Sequence, residues 1–160
     1  MLQRKILSGI KLFIATAITS CSNMRETKQF EPTSGWFKLT YSATWQVEPD
    51  DSIYTFTEAQ DLSWAFQISA YKATHDTIPN FNISEELQHT VEIHPTATIV
   101  ALPNRKAIYY TERKGSSLLR IWIIGGKRCK VFCSYTADAP ASQNANFEAA
   151  QQAINSMRIQ

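Results

Sequence analysis

The chain has 160 residues, 16 Lys+Arg against 14 Asp+Glu, 44% hydrophobic and 11% aromatic residues, and only 5 Gly, 6 Pro and 3 Cys. Such a composition excludes a disordered, collagen-like or disulfide-scaffolded chain and fits one domain whose core needs neither disulfides nor metal. A formal charge of +2 is too small for an electrostatic nucleic-acid binder.

At the N-terminus Arg4, Lys5 and Lys11 precede the apolar run Leu12, Phe13, Ile14, Ala15, Ala17 and Ile18, with Thr19 and Ser20 directly before Cys21. This is the order of a secretory signal peptide. The run is too short for a bilayer core of about 30 Å, which takes roughly 20 apolar residues as a helix. Ile18-Thr19-Ser20-Cys21 resembles the lipobox of bacterial lipoproteins. The resemblance implies a diacylglycerol on Cys21, cleavage between Ser20 and Cys21, and acylation of the new amino terminus. Three acyl chains hold a membrane far more firmly than one. Ser22 follows instead of Asp, which in the enteric version of the family directs the protein to the outer membrane, facing the periplasm. The competing readings are an ordinary signal peptide in which a cysteine falls by chance and a short buried helix. The expected division is a signal peptide over 1–20, a polar tether over 21–34 and one domain over 35–160.

From Gly35 onward the pattern is β. Strands are predicted over Trp36–Tyr41, Thr44–Glu48 and Ile53–Thr57, the last two joined by a turn at Pro49-Asp50-Asp51. The clearest strand is Leu62–Tyr71, where Leu62, Trp64, Phe66, Ile68 and Ala70 make one apolar face. After Pro79, Ser84 is positioned to cap a helix running to Ile93, with Glu85 and Glu86 in its first turn and Leu87, Thr90 and Val91 turned inward. A meander follows: Thr96–Leu102, Arg105–Arg113, Leu118–Ile124 and, past Gly125-Gly126, a strand through Tyr135. Leu118–Ile124 is apolar almost throughout, as in a central strand covered on both faces. Phe147, Ala150, Ile154 and Met157 mark a closing amphipathic helix.

Removing residues 1–20 takes away three basic residues and no acid, leaving 13 basic against 14 acidic. Residues 31–100 hold ten acids against Lys38 and Lys72, while 101–160 hold nine basic residues against Glu112, Asp138 and Glu148. Two oppositely charged parts of one domain attract each other weakly when exposed, and this is the favoured reading. The alternative is a bipolar surface that steers a charged partner. Cys129 and Cys133 lie four residues apart on one strand, about 13 Å, beyond the roughly 7 Å that a disulfide spans. With Val131 between them they read as small buried hydrophobes.

This order of elements resembles the PsbP-like superfamily, a group that also contains the import factor Mog and several bacterial lipoprotein families. The resemblance lies in Gly35-Trp36-Phe37-Lys38-Leu39 with Trp45, in Leu102-Pro103-Asn104-Arg105-Lys106-Ala107-Ile108-Tyr109-Tyr110, in the hairpin into Cys129–Tyr135, and in the ending Ser156-Met157-Arg158-Ile159. It implies an α+β fold, an antiparallel meander sandwiched by helices, in a domain that binds or scaffolds and does not catalyse.

No catalytic constellation stands out. Asp50, Asp51, Glu58 and Asp61 fall at turn positions, where carboxylates cap turns. His89 follows Glu85 and Glu86 at helical spacing, the pattern of an exposed i,i+4 pair more than of an acid–base or metal pair. His75, His89 and His94 offer no metal-ligand spacing. Ser116-Ser117 and Ser134 lack a partnering His and acid in a recognised order, and Gly125-Gly126-Lys127 lacks a phosphate loop's spacing. Arg105-Lys106, Arg113-Lys114 and Lys127–Lys130 fall at strand ends, where charge protects sheet edges. Trp36, Trp45, Trp64, Tyr109, Tyr110 and Trp122 are mostly core by alternation; Trp36 or Trp45 exposed beside a groove would be a binding candidate.

The sequence therefore leads to a lipid-anchored, non-catalytic envelope protein that binds a protein partner, with no metal, organic cofactor or nucleic acid and no partner-binding residues assigned. The alternatives are an immunity protein blocking a secreted toxin, and a hydrolase whose deep cleft would hold His89 or His94.

Overall fold

The computed structural model describes residues 26–72, 81–127, 129–138 and 144–160. Its strands are β1 (Thr27–Phe30), β2 (Phe37–Ser42), β3 (Trp45–Asp50), β4 (Ile53–Glu58), β5 (Asp61–Lys72), β6 (Thr98–Leu102), β7 (Arg105–Lys114), β8 (Ser117–Gly125), β9 (Cys129–Asp138) and β10 (Arg158–Ile159). The helices are α1 (Ile83–Ile93) and α2 (Ala145–Ser156). Seven strands form one antiparallel sheet in the order β3-β4-β5-β9-β8-β7-β6, and a small sheet pairs β1 and β10 on either side of β2. The expected α+β architecture, an antiparallel meander between helices, is the observed one.

Alternation explains how the layers meet. On one face of the large sheet Trp45, Phe56, Trp64, Phe66, Ile68, Trp122, Val131, Cys133 and Tyr135 are buried under Phe37 and Leu39 of β2 and Ala150, Ala153, Ile154 and Met157 of α2. Ile108, Tyr110 and Ile123 face the other way and pack with Phe81, Ile83 and Leu87 beneath α1. Each turned-in large apolar side chain is worth roughly 1.5–3 kcal/mol of transfer free energy. The Ser156 hydroxyl locks the end of α2 onto β2: it accepts from Thr40 N at 2.8 Å and lies 3.2 Å from Thr40 O and 2.8 Å from Ala153 O. Phe81 lies so close over the end of β8 that a Cβ on Gly125 would fall 1.9 Å from its ring, so the turn glycine expected there is also required by contact.

Several expectations are corrected. The polar stretch expected as tether through residue 34 belongs to the domain from Glu26 on: Thr27–Phe30 pairs with β2, Glu26 O accepts from Ala43 N at 2.8 Å, and Phe30 packs on Tyr54 and Phe56. The four-residue strand is too short and too polar to show as one, and pairing makes it. Leu62, placed by alternation on the buried face, is 82% exposed. It sits at the β4–β5 tip beyond a register shift between Phe56 and Glu58, where the covering layer ends. The cap of α1 is Asn82, not Ser84; its Oδ1 accepts from Ser84 N at 3.0 Å and Glu85 N at 3.4 Å. Val91 is exposed, because α1 turns only Thr90 fully and Ile83 and Leu87 partly inward. The middle of the large sheet is β9; β8 lies one place further toward β6, with Trp122, Ile123 and Ile124 buried on both faces. Residues 1–25, with Cys21 and the cleavage site, and residues 73–80, with His75 and Pro79, lie outside the described residues.

Phe66→Ala should lower the unfolding free energy by about 3–5 kcal/mol, the range for deleting a buried phenyl ring. Leu62→Ser, four residues earlier in the same alternation, should change it by less than about 0.5 kcal/mol. Urea denaturation measures both, and comparable losses would show that Leu62 is core after all.

Candidate functional site

A cleft of about 390 Å³ opens between α2 and the β6–β8 end of the large sheet. Val100 and Leu102 of β6, Tyr109 of β7, Arg120 and Trp122 of β8 and Phe147, Gln151, Ile154 and Asn155 of α2 line it, together with Ala101. Register puts Tyr109 opposite Trp122, with ring centroids 5.1 Å apart. Trp122 stacks on Phe147 at 6.3 Å, and the Arg120 guanidinium carbon lies 4.2 Å over the same Phe147 ring. Arg120 Nη1 donates toward the Tyr109 hydroxyl at 3.4 Å. The guanidinium is thus flanked by aromatic groups, an arrangement that favours a partly desolvated cation. Among the described residues the lining contains no carboxylate.

One side chain fixes the helical wall. Tyr135 on β9 is 0% exposed, stacks on Trp64 at 5.9 Å, meets Phe147 at 5.4 Å and donates its hydroxyl to Asn144 Oδ1 at 3.0 Å. The same Asn144 oxygen accepts from Asn146 N at 3.1 Å and Phe147 N at 3.0 Å, capping α2. At the other end of the helix Arg105 Nη2 reaches Met157 O at 3.5 Å. Burial lowers the pKa of that guanidinium and raises the phenol of Tyr135 to about 12.

The residues weighed from sequence are dispersed. Asp50 and Asp51 stand at one end of β4 and Glu58 and Asp61 at the other, separated by a six-residue strand of roughly 17 Å. Asp61 accepts from the backbone and hydroxyl of Ser63, which hold its carboxyl below the usual range, as a turn cap does. Glu86 pairs with Lys130 of β9 at 2.6 Å and not with His89, which is exposed. His94 stacks on Tyr110 at 4.1 Å. Both histidines therefore belong to the α1 side of the sheet, and neither lines the cleft. Ser117 donates to Asp138 at 3.0 Å. Cys129 and Cys133 are buried free thiols whose pKa is raised by burial, on one face with Val131 as expected. Among the described residues no group of His, Cys, Asp and Glu is placed to hold a metal.

Arg105-Lys106 and Lys127 lie at one end of the meander and Arg113-Lys114 at the other. Trp45 is buried, and Trp36 is half-buried against the core. The charge division also resolves spatially. The acids of β3 and β4 and the bases of β7 and β8 lie toward opposite edges of one sheet, and among the described residues an ion pair between the two parts joins Glu86 of α1 to Lys130 of β9. Sequence reading passed over Arg120, Gln151 and Asn155. The available signal was Arg120 itself, a lone charge inside the apolar strand Leu118–Ile124.

A seven-stranded antiparallel sheet, a small sheet and α2 on one face and α1 on the other define a PsbP/Mog1-like α+β domain. The chain belongs to the family described as Domain of unknown function (DUF3805), whose model matches residues 25–160. Among solved structures it is similar to a protein from Bacteroides thetaiotaomicron, with a TM-score of 0.66 and 20% identity over 83% of this chain and 48% of that one. This chain thus spans about half the length of that protein. It is also similar to the cyanobacterial PsbP (CyanoP) from Synechocystis, with a TM-score of 0.60 and 5% identity over 89% of this chain and 99% of that one. For the Ran-binding protein Mog1p of Saccharomyces cerevisiae the TM-score is 0.51 and the identity 10%, over 84% and 96%. At these identities the likeness is one of fold. No curated protein matches the chain.

Between about pH 10 and pH 12 the folded protein holds the Tyr135 proton that the unfolded chain releases, so stability should fall as pH rises through that window. Tyr110, also raised by burial, contributes to the same fall. Tyr135→Phe should make the decline shallower, read from urea midpoints at intervals between about pH 9 and pH 11.5; an unchanged slope would mean that Tyr135 ionises freely in the fold.

Proposed function

We propose that this protein is a lipid-anchored, non-catalytic cell-envelope protein whose domain binds a protein partner. The binding half rests on the cleft beside α2, where aromatic rings surround a single cation and the outer rim is an open sheet edge. Aromatic and arginine side chains in a concavity supply large contact area and directional hydrogen bonds at little conformational cost. The anchoring half rests on Ile18-Thr19-Ser20-Cys21 behind a basic and apolar leader. Among the described residues no helix is long and apolar enough to cross a membrane. Acyl chains on Cys21 would supply the attachment, with the outer membrane facing the periplasm as its place. Because β1 begins at Thr27, five residues lie between Cys21 and the sheet, and the six Cα steps reach at most about 22 Å. The domain in this reading works close to the bilayer.

The wild-type protein should sediment with membranes, and its N-terminal fragment, beginning at Cys21, should carry the mass of a diacylglycerol and an amide-linked acyl chain. Cys21→Ser should leave the leader uncleaved and add no lipid mass. A wild-type protein without lipid mass, together with a Cys21→Ser variant that is cleaved and distributed identically, would sink the anchor.

A further inference from the structure

The two helices are held to the large sheet unequally. α2 turns Ala149, Ala150, Ala153 and Ile154 into the core, and bonds from Tyr135, Thr40 and Arg105 fasten its two ends. α1 turns in only Thr90, whose hydroxyl donates to Glu86 O of the same helix at 2.7 Å. A helix of eleven residues is too short to persist alone in water, so α1 exists while the sheet holds it. Besides the half-buried Ile83 and Leu87, the described residues provide three attachments. Phe81 lies over Gly125, the Glu86 carboxylate meets Lys130 Nζ at 2.6 Å, and His94 stacks on Tyr110 at 4.1 Å. The ion pair is open to solvent, its side chains 22% and 38% exposed, and such pairs hold weakly.

Register shows what α1 covers. Ile99, Ile108, Ile123, Phe132, Ser69 and Ile53 are successive cross-strand partners and so form one row across six strands on the face turned toward α1. Beneath the helix Ile108 and Ile123 are 0% and 3% exposed, while Ile99 and Ile53 at the ends of the row remain at 36% and 37%. α1 therefore closes only the middle of an apolar row that runs out past it on both sides. What it closes is also a separate core: Ile108, Tyr110 and Ile123 are divided by the sheet from the larger cluster under α2 and the small sheet. Removing α1 leaves that larger cluster whole. A short element on its own small core is the kind of unit that opens without global unfolding.

We propose that α1 is a strap that leaves the sheet as a unit while the seven strands, the small sheet and α2 stay folded, and that its release uncovers the row from Ile99 through Ile108 and Ile123 to Phe132. Glu86 and Lys130 are its electrostatic latch, and because salt screens a solvent-open pair, ionic strength biases the strap toward release. The device lies on the face away from the cleft and depends on neither the cleft nor the anchor.

Hydrogen exchange of the full chain in detergent micelles, followed through urea concentrations below the unfolding transition, tests it. Amides of residues 87–93 should exchange at least about a hundredfold faster than those of Val131, Cys133 and Tyr135, with a urea slope above zero and well below theirs. Glu86→Gln keeps the shape and removes the charge; it should speed the α1 amides about two- to fivefold and leave the β9 amides unchanged. Rising potassium chloride should do the same to wild type. Phe81→Ala should speed the α1 amides by about tenfold or more. A thiol placed beneath the helix by Ile123→Cys should be alkylated at the α1 opening rate, well before the native thiol of Cys133. One rate and one urea slope for α1 and β9 would show that the domain opens only as a whole and would overturn the strap. So would fast α1 exchange with no urea slope, accompanied by a position-123 thiol as protected as Cys133, since that is fraying of a helix on a closed sheet. Fast, urea-dependent α1 exchange that Glu86→Gln and salt leave unchanged would overturn the latch.

Discussion

The contact on which the rest of the domain depends is made by Tyr135 at the centre of the middle strand. Its ring bridges Trp64 below and Phe147 above, and its hydroxyl ends on the oxygen that caps α2. From there the ring contacts run in both directions: through Trp64 to Trp45, Phe56 and Phe30 at the small sheet, and through Phe147 to Trp122 and Tyr109 at the cleft. Aromatic pairs add about 0.5–1.5 kcal/mol each beyond the area they bury, and they do so only at defined angles and distances. The row therefore contributes cohesion and also position. It sets where α2 starts, and so where Phe147, Gln151 and Asn155 stand along the cleft wall.

Such a core constrains the sheet edges unequally. The acidic edge at β3 lies beside β4, which the small sheet covers where Phe30 and Phe37 pack on Tyr54. The basic side at β6 extends beyond α2, and there the covering layer parts to leave the cleft. Closing the concavity would take larger side chains than Gln151 and Asn155, or a longer β6 to carry the rim. Sheet and helix are joined by Arg105 reaching Met157 and by Ser156 reaching Thr40 at the far end of α2 and by Tyr135 reaching Asn144 at its start, and Ala150, Ala153 and Ile154 pack into the core between them.

Legibility in the sequence followed locality. Alternation in Leu62–Tyr71 and Cys129–Tyr135 identified the two longest central strands, and the period of Phe147, Ala150 and Ile154 identified α2, because each pattern lies within one element. Leu62 departs from its pattern because a register shift on the partner strand of its own hairpin takes it past the cover, which the alternation of β5 alone does not contain. Residues 27–30 are polar enough to read as tether and become a strand only by pairing with β2, whose partner on the other side comes from the opposite end of the chain. The cleft was least legible. It requires Tyr109 to face Trp122 and both to meet a helix some twenty-five residues later, a product of register and layer geometry. Only Arg120, too costly to bury without aromatic or hydrogen-bonding company, marked the place in advance.

The proposed anchor and the β6 edge would also stand in a definite relation. Thr27 begins a strand whose other end packs on β4, and Glu26 bonds to Ala43 beside the start of β3. The chain therefore enters the domain at its acidic edge, and six strand spacings, roughly 29 Å, separate that edge from β6. With Cys21 acylated, the short connection would hold β3 nearest the lipid. Glu48, Asp50 and Asp51 would keep that edge from lying flat on an anionic surface, since like charges repel within a Debye length. The basic side and its cleft would then stand furthest from the bilayer and open to the surrounding space. Tethered at one edge of its sheet in this way, the domain would present outward the edge that its lipid cannot reach.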